Sequence, residues 1–264
     1  MTTRVGPRGS TVRPDKLVVE EPLEIRLDDH TVTTTMRTPG HDYELAVGFC
    51  YTEGVLAGWP VREVRYCATG PASETEFNVV TVSTGGQAPA PEARLRTATS
   101  SCGLCGATSI DALRRRLTPM PPPPAVDVAA LDRAAGEARR QQALFSDTGS
   151  IHAAAVFDPV TGDVSLLRED IGRHNAVDKV VGRLLLDGLL PATGRGLFVS
   201  GRASFEIVQK AWAAGFGLVA AVSGPSALAV DTARAANLAL VGFLRDGTAN
   251  VYTPDAGFGI GVAG

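Results

Sequence analysis

The residues best suited to chemistry are two cysteines, Cys102 and Cys105, each of which is followed by a glycine. Small polar residues precede the pair, and the pattern over residues 107–117 predicts a helix that begins directly after it. A cysteine reacts as the thiolate, and the N-terminus of a helix lowers its pKa. The flanking glycines shield sulfur poorly and let the backbone move. The stretch therefore predicts sulfur chemistry at an exposed, mobile site.

Other uses of a CxxC pair are half of a zinc site and a redox dithiol. A zinc site needs two more ligands, and Cys50 and Cys67 do not form a second such pair. Cys50 lies in an apolar helical pattern typical of a buried core thiol. His152 and His174 are the remaining candidate zinc ligands. A thioredoxin-like site follows a strand of a βαβ unit, whereas this pair precedes a proline-rich spacer, and we expect no resident metal.

The composition excludes several classes of protein. The formal net charge is -3, which gives no support for binding of nucleic acid through a basic face. No apolar run reaches the roughly 18 residues that a membrane span needs. Residues 1–14 contain arginines but no apolar segment behind them, so they do not predict a secretory signal. Four cysteines in a chain of this length do not make a disulfide framework, and we expect a cytoplasmic protein.

The first part of the chain, residues 16–98, predicts a small α+β domain, and residues 1–15 are expected to be loosely ordered. Alternating apolar and polar residues favour strands, and the pattern becomes helical from residue 43 to about residue 58. The predicted strands cover residues 16–20, 23–27, 31–37, 61–66 and 77–82. Residues 99–125 follow with the dithiol, its helix and a proline-rich spacer, which is the clearest boundary in the sequence.

Residues 126–264 predict an α/β domain of three layers. Strands are expected at residues 151–157, 164–168, 197–200, 218–222, 238–244 and near 251–252. Helices are expected at residues 128–144, 174–187, 203–214 and 225–236. Strands that alternate with helices of this length indicate right-handed crossovers and a largely parallel sheet. The fold class of the whole chain is therefore α/β.

Three polar strand-to-helix turns of this domain should lie at one edge of the sheet. They cover residues 168–175, 200–204 and 223–226. Turns of this kind share the edge where ligands of α/β proteins bind. Glycine and serine at helix N-termini offer free N–H groups to anions, and neighbouring arginines bind phosphates. Each turn alone is equally compatible with ordinary capping, but together they predict a pocket for a phosphorylated, nucleotide-like ligand. His152 could line that pocket or be a core histidine.

Several stretches together resemble the FdhD family of formate dehydrogenase accessory sulfurtransferases. The likeness runs from about residue 22 to residue 252, and the stretches that carry it are residues 44–49, 52–54, 101–106, 148–152, 169–179, 200–206 and 223–227. Several of these stretches are long and chemically unusual, so chance does not explain the likeness.

This resemblance implies a sulfur carrier that works with a cysteine desulfurase. A persulfide on Cys102, with Cys105 as its partner, would be passed to a molybdenum or tungsten bis(molybdopterin guanine dinucleotide) cofactor before that cofactor enters formate dehydrogenase. The bound substrate would then be the cofactor, and a guanine nucleotide is its candidate mimic. The resemblance also implies a homodimer and a C-terminal domain like cytidine deaminase.

The candidate cofactor-binding residues combine the polar turns with one further segment that the resemblance points to. They are His152, Asp170, Arg173, His174, Ser200, Gly201, Arg202, Ser204, Ser223 and Gly224, together with Phe243, Leu244, Arg245, Asp246, Gly247 and Thr248. The zinc chemistry of deaminases is expected to be absent, because no glutamate stands two residues after His152 and no proline precedes Cys102. Two other readings stay open: a cofactor-binding chaperone without sulfur transfer, and a general dithiol oxidoreductase.

Overall fold

A computed structural model describes residues 1–67, 77–91, 111, 113, 115–122 and 126–253. The strands are β1 (Thr2–Gly6), β2 (Gly9–Arg13), β3 (Glu21–Leu27), β4 (His30–Arg37), β5 (Glu63–Tyr66), β6 (Val79–Ser83), β7 (His152–Phe157), β8 (Val164–Asp170), β9 (Gly196–Val199), β10 (Leu218–Ala221), β11 (Ala239–Arg245) and β12 (Thr248–Thr253). The helices are α1 (Asp42–Thr52), α2 (Val128–Gln141), α3 (Ala143–Thr148), α4 (Arg173–Leu186), α5 (Phe205–Ala214) and α6 (Ala227–Ala236).

The N-terminal unit is a four-stranded sheet in the order β4-β3-β6-β5, with α1 packed against it. Alternate residues of β3, namely Leu23, Ile25 and Leu27, are buried, as the alternating pattern predicts. The strand expected over residues 16–20 was wrong, because these residues form no strand and are mostly exposed. Residues 2–13 form an exposed hairpin of β1 and β2, which among the described strands pairs only with itself.

The C-terminal unit is a six-stranded sheet in the order β12-β11-β10-β9-β7-β8. The prediction of a largely parallel sheet was wrong, because only β10 pairs in parallel, with β9 and with β11. Tight turns join β7 to β8 and β11 to β12, and a tight turn forces antiparallel pairing. Two successive reversals nevertheless leave β8 pointing the same way as β9, β10 and β11. The three polar turns therefore lie at one edge of the sheet.

Helices cover both faces of this sheet, which confirms the α/β class. The side chains of α4, α5 and α6 form one apolar core with alternate strand residues, and α2 forms a second core on the opposite face. The helix predicted over residues 128–144 ends at Gln141, and α3 follows after Gln142. Of the helix predicted over residues 107–117, the described residues 111, 113, 115 and 116 are helical. The predicted domain boundaries stay predictions.

The two units pack directly on each other where α1 crosses α4. A Cβ atom at Gly48 would lie 1.9 Å from the backbone oxygen of Asp178. A Cβ atom at Gly182 would lie 1.8 Å from the backbone oxygen of Glu44. Only glycine allows the two backbones to approach this closely. The N-terminal unit is thereby held against the helix that begins with Arg173 and His174.

Candidate functional site

Backbone hydrogen bonds tie the second and third polar turns to each other and to β11. The Ser223 N–H donates to the oxygen of Gly201 at 3.3 Å, and the Ser226 N–H donates to the oxygen of Ala203 at 3.2 Å. The Phe243 N–H in turn donates to the oxygen of Ser223 at 3.3 Å. These turns follow parallel strands, so they form one continuous polar edge, as the sequence predicts.

The first turn joins this edge through His152 and Arg173. A Cβ atom at Gly201 would lie 3.4 Å from Nδ1 of His152 and 3.5 Å from Cδ of Arg173, so both side chains lie against this glycine. His152 begins β7 and stands opposite Asp170 at the end of β8. Burial and the charge of Arg173 lower the pKa of the half-buried His152. The ring is therefore neutral near pH 7.

The Arg173 guanidinium is the strongest sign of a ligand at this edge. Its Nε is buried and has no hydrogen-bond partner among the described residues, and no described carboxylate forms an ion pair with it. A buried, unpaired donor costs about 1–3 kcal/mol, and more when it is charged. Such a group is typical of a site whose partner is an anionic ligand.

His174 lies beside Arg173 at the start of α4. Its Nε2 is 3.2 Å from the hydroxyl oxygen of Ser204 and 3.7 Å from a carboxylate oxygen of Glu206. Burial, with the charges of Arg173 and Lys210, lowers the pKa of His174 to about 4, although Glu206 and Glu53 act in the opposite direction. His174 is thus a neutral hydrogen-bonding group at working pH.

Asp170 stabilises the first turn from the interior of the protein. It is fully buried and pairs with Nζ of Lys179 at 2.7 Å. It also accepts hydrogen bonds from the Gly172 N–H at 2.8 Å, the Asn175 amide at 3.0 Å and the Thr38 N–H at 3.2 Å. With its oxygens occupied in this way, Asp170 shapes the turn and joins it to the N-terminal unit.

The remaining predicted residues occupy different environments. Arg202 is exposed, Ser223 and Gly224 are half-buried on the third turn, and Ser200 accepts a hydrogen bond from the Ala153 N–H at 2.8 Å. Phe243 is exposed at the same edge, and its ring would meet a Cβ atom at Gly224 at 2.7 Å.

The segment after Phe243 divides between the core and the surface. Leu244 is buried in the apolar core beneath α2, so its position is a packing position. Arg245, Asp246, Gly247 and Thr248 are exposed in the hairpin between β11 and β12. The Gly247 N–H donates to the Asp132 carboxylate of α2 at 2.9 Å, which holds this hairpin against α2.

Sequence reasoning missed a buried charged cluster next to the polar edge. Nζ of Lys210 lies 3.0 Å from Oδ1 of Asp178, 2.9 Å from Oε1 of Glu53 and 3.0 Å from the hydroxyl oxygen of Thr52. Burial raises the pKa of Asp178 to about 6, although Lys210 acts in the opposite direction. No local pattern in the sequence indicates this cluster, because its members come from α1, α4 and α5.

Cys102 and Cys105 lie outside the described residues. Part of the helix that follows them is described, and Leu113 within it is buried in the core that contains α4 and α5. Within the described part of the chain, no group of three or more histidine, cysteine, aspartate and glutamate side chains could hold a metal ion. Cys50 is fully buried, and burial raises its thiol pKa, so the expectation of a buried core thiol is confirmed.

Comparisons with known proteins agree with this architecture. The sequence profile of the FdhD/NarQ family matches residues 18–257. The chain is 47% identical over 248 residues to "Sulfur carrier protein FdhD" of Mycolicibacterium paratuberculosis, with 91% of each chain covered. It is 48% identical over 258 residues to the protein of the same name from Streptomyces coelicolor, with 94% of this chain and 91% of that one covered.

A solved structure has the same fold. The crystal structure of a putative formate dehydrogenase accessory protein from Desulfotalea psychrophila superposes with a TM-score of 0.73 at 21% identity, and covers 96% of this chain and 95% of its own. Among the described residues, no helix is long and apolar enough to cross a membrane. On its sequence and over nearly its full length, this chain belongs to the FdhD/NarQ family.

Proposed function

We propose that this protein is a sulfur carrier of formate dehydrogenase maturation. It would accept sulfur from a cysteine desulfurase on Cys102 or Cys105 and pass it to the molybdenum bis(molybdopterin guanine dinucleotide) cofactor. Relatives of nearly the same length, at 47% and 48% identity, carry the name sulfur carrier protein. The observation that supports the ligand half of the proposal is the buried Nε of Arg173, which has no hydrogen-bond partner among the described residues and lies at the edge shared by three polar turns.

The first step is transfer of sulfane sulfur between two cysteines. A Cys102 thiolate attacks the outer sulfur of the donor's persulfide, the donor's S–S bond breaks, and the donor leaves as a thiolate. Cys102 then carries the persulfide, and the step involves no net oxidation or reduction.

The second step is release of that sulfur. The Cys105 thiolate attacks the inner sulfur of the persulfide, which forms a Cys102–Cys105 disulfide and releases the outer sulfur as hydrosulfide for delivery to the cofactor. The two cysteines supply the two electrons, so a cellular dithiol must reduce the disulfide before another cycle.

The polar edge would bind the cofactor's phosphates during this transfer. The N-termini of α4, α5 and α6 all lie at this edge and attract anions, and Arg173 supplies a charged donor. His152 and His174 are neutral near pH 7, so they can hydrogen-bond a ligand without adding charge. The protein would thus act as a sulfurtransferase on a bound cofactor substrate.

Mass spectrometry tests the sulfur half of the proposal. After incubation with a cysteine desulfurase and cysteine, the protein should gain the mass of one sulfur atom, and a reductant should remove it. A variant with both Cys102→Ala and Cys105→Ala should gain nothing. No adduct on the wild-type protein, or an undiminished adduct on the double variant, would refute sulfur transfer.

A cofactor-binding chaperone is the second candidate, because the features of the polar edge do not depend on the dithiol. That function predicts that the double cysteine variant still supports formate dehydrogenase activity. Sulfur transfer predicts that it does not.

A further inference from the structure

We infer that Arg116 is a positioning residue that fixes the base of the dithiol-bearing segment against the C-terminal end of α1. The base is the described stretch of chain around Arg116, which follows the dithiol. The role of Arg116 in orientation follows from its contacts, and only its consequence for sulfur transfer rests on the proposed function. The dithiol precedes Arg116 in the chain, so a fixed base would set the direction from which the sulfur atoms reach the polar edge.

The contacts of Arg116 are directed at the end of a helix. Its Nη1 donates to the backbone oxygen of Glu53 at 2.6 Å, and its Nη2 donates to the backbone oxygen of Thr52 at 3.0 Å. The last carbonyls of a helix have no partner within it and carry the negative end of the helix dipole. The last turn of α1 has no basic residue of its own. Arg116 supplies that cation from a distant part of the sequence.

Gly54 shows how closely the guanidinium lies against the chain. The φ angle of Gly54 is +75°, and a Cβ atom there would lie 2.5 Å from Nη1 of Arg116. Any larger residue at this position would displace the arginine as well as strain the backbone. The contact therefore gives a physical reason for the glycine that ends the stretch Thr52-Glu53-Gly54.

Other contacts hold the chain just beyond Arg116. The Trp212 indole N–H donates to the backbone oxygen of Thr118 at 2.9 Å. The Met120 N–H donates to the oxygen of Ala236, and the Asn237 amide donates to the oxygen of Met120, each at 2.9 Å. These bonds do not involve Arg116, and Leu113 packs in the core independently of it. Loss of the arginine should therefore leave the segment attached but without its link to the end of α1.

The same base is connected to the polar edge through buried charges. The Glu53 carboxylate binds Lys210, and Lys210 binds Asp178 on α4, the helix that begins with Arg173. Burial alone would raise the pKa of Glu53, but Lys210 and Arg116 overcome that effect and hold it below its usual value. The end of α1 that Arg116 contacts and the helix that begins with Arg173 are thus linked through one buried network of charges.

A distance measurement tests the positioning role without any sulfur chemistry. One nitroxide label is placed on Cys102 in a Cys105→Ser background, and a second on Val222→Cys, which is exposed beside Ser223. Cys50 and Cys67 are buried and should not react. Double electron–electron resonance should give a distance distribution that becomes at least twice as broad in Arg116→Ala.

The matched control is Arg115→Ala, because Arg115 is exposed and forms no hydrogen bond or ion pair with a described residue. It should leave the distribution unchanged. Arg116→Lys should give an intermediate width, and Gly54→Ala should broaden it without a change of charge. Circular dichroism first establishes that each variant is folded. Equal widths in Arg116→Ala and Arg115→Ala would overturn the inference.

A second readout connects the role to sulfur transfer. Arg116→Ala should take up sulfur from inorganic polysulfide within twofold of wild type, yet activate formate dehydrogenase at least fivefold less well. If wild type itself takes up no sulfur, the proposed function fails while the distance result still decides the positioning role. Full activation by Arg116→Ala would show that its position has no part in transfer.

Discussion

Replacement of Lys210 by methionine probes the buried charges that join α1, α4 and α5. The Lys210 ammonium is 3% exposed and lies within 3.0 Å of oxygens of Thr52, Glu53 and Asp178. Methionine has a similar length but no charge, so the Glu53 and Asp178 carboxylates lose the ammonium that lies within 3.0 Å of both. Removing one partner of a buried ion pair costs about 3–5 kcal/mol. We expect the free energy of unfolding of Lys210→Met to fall by about that amount near pH 8.

The loss should depend on pH in a defined direction. Burial already raises the pKa of Asp178 from 3.8 to about 6 while Lys210 opposes the shift, so the variant should have a still higher value. An acid whose folded pKa is raised is stabilising below its unfolded pKa, and this stabilisation disappears as the pH rises through the folded value. The deficit of Lys210→Met relative to wild type should therefore be smaller near pH 5 than near pH 8.

Urea unfolding near pH 5 and pH 8 measures both effects. Lys16→Met is the control, because Lys16 forms an exposed ion pair with Asp147 at 2.9 Å, and such pairs contribute about 0–1 kcal/mol. Adding Asp178→Asn to Lys210→Met should recover part of the loss near pH 8. A deficit below about 1 kcal/mol near pH 8, or the same deficit at both pH values, would refute the reasoning.

Three further predictions concern the polar edge and the contact between the two units. Arg173→Gln should weaken the binding of guanosine diphosphate about 10- to 100-fold in calorimetry, since a charged hydrogen bond contributes about 1.5–3 kcal/mol. The control Arg195→Gln, at the opposite edge of the sheet, should not weaken binding. Equal affinities of the two variants would contradict the anion site. His174 has its pKa lowered from 6.5 to about 4, so its contribution to stability is full above pH 6.5 and is lost as the pH falls toward 4. In urea unfolding near pH 4, His174→Gln should therefore avoid about 3 kcal/mol of the acid destabilisation that the wild-type protein shows. Equal losses of stability in the variant and the wild type between pH 6.5 and pH 4 would contradict this prediction. Gly48→Ala places a Cβ atom 1.9 Å from a backbone oxygen of α4 and should lower the stability measured in thermal unfolding by about 3 kcal/mol or more. In Gly136→Ala on α2 the new Cβ atom meets only an arginine nitrogen at 3.6 Å, so this variant should be neutral or stabilising. Similar melting of the two variants would exclude the close helix crossing.

The order of strands and helices after residue 150 could be predicted because their periodicity and turn residues are local properties. The polar edge followed from the same order, since the direction of each strand fixes where its turn lies. The parallel character of the sheet could not be predicted in the same way. It depends on which connections are tight, and the turn after Phe157 and the turn after Arg245 each reverse a strand.

The buried charges could not be predicted because burial depends on contacts between distant segments. From the local sequence, Lys210 is expected to be a solvated helix residue; in the structure it is paired with Glu53 at the end of α1 and Asp178 of α4. From the sequence, Asp170 is expected to face a ligand; in the structure its carboxylate binds Lys179 and the backbone N–H of Thr38. In both cases the partner belongs to the other unit or another helix, and local patterns carry no information about it.

The central claim is that sulfur taken up by the dithiol passes to a cofactor held at the edge that contains Arg173. The most direct measurement is to load the protein with radioactive sulfur from a cysteine desulfurase, add the molybdenum cofactor, and follow where the label goes. We expect the label to leave wild type for the cofactor, to stay on the protein in Arg173→Gln, and never to load on the Cys102→Ala, Cys105→Ala variant. Transfer by Arg173→Gln at the wild-type rate, or delivery by the variant without cysteines, would contradict the account.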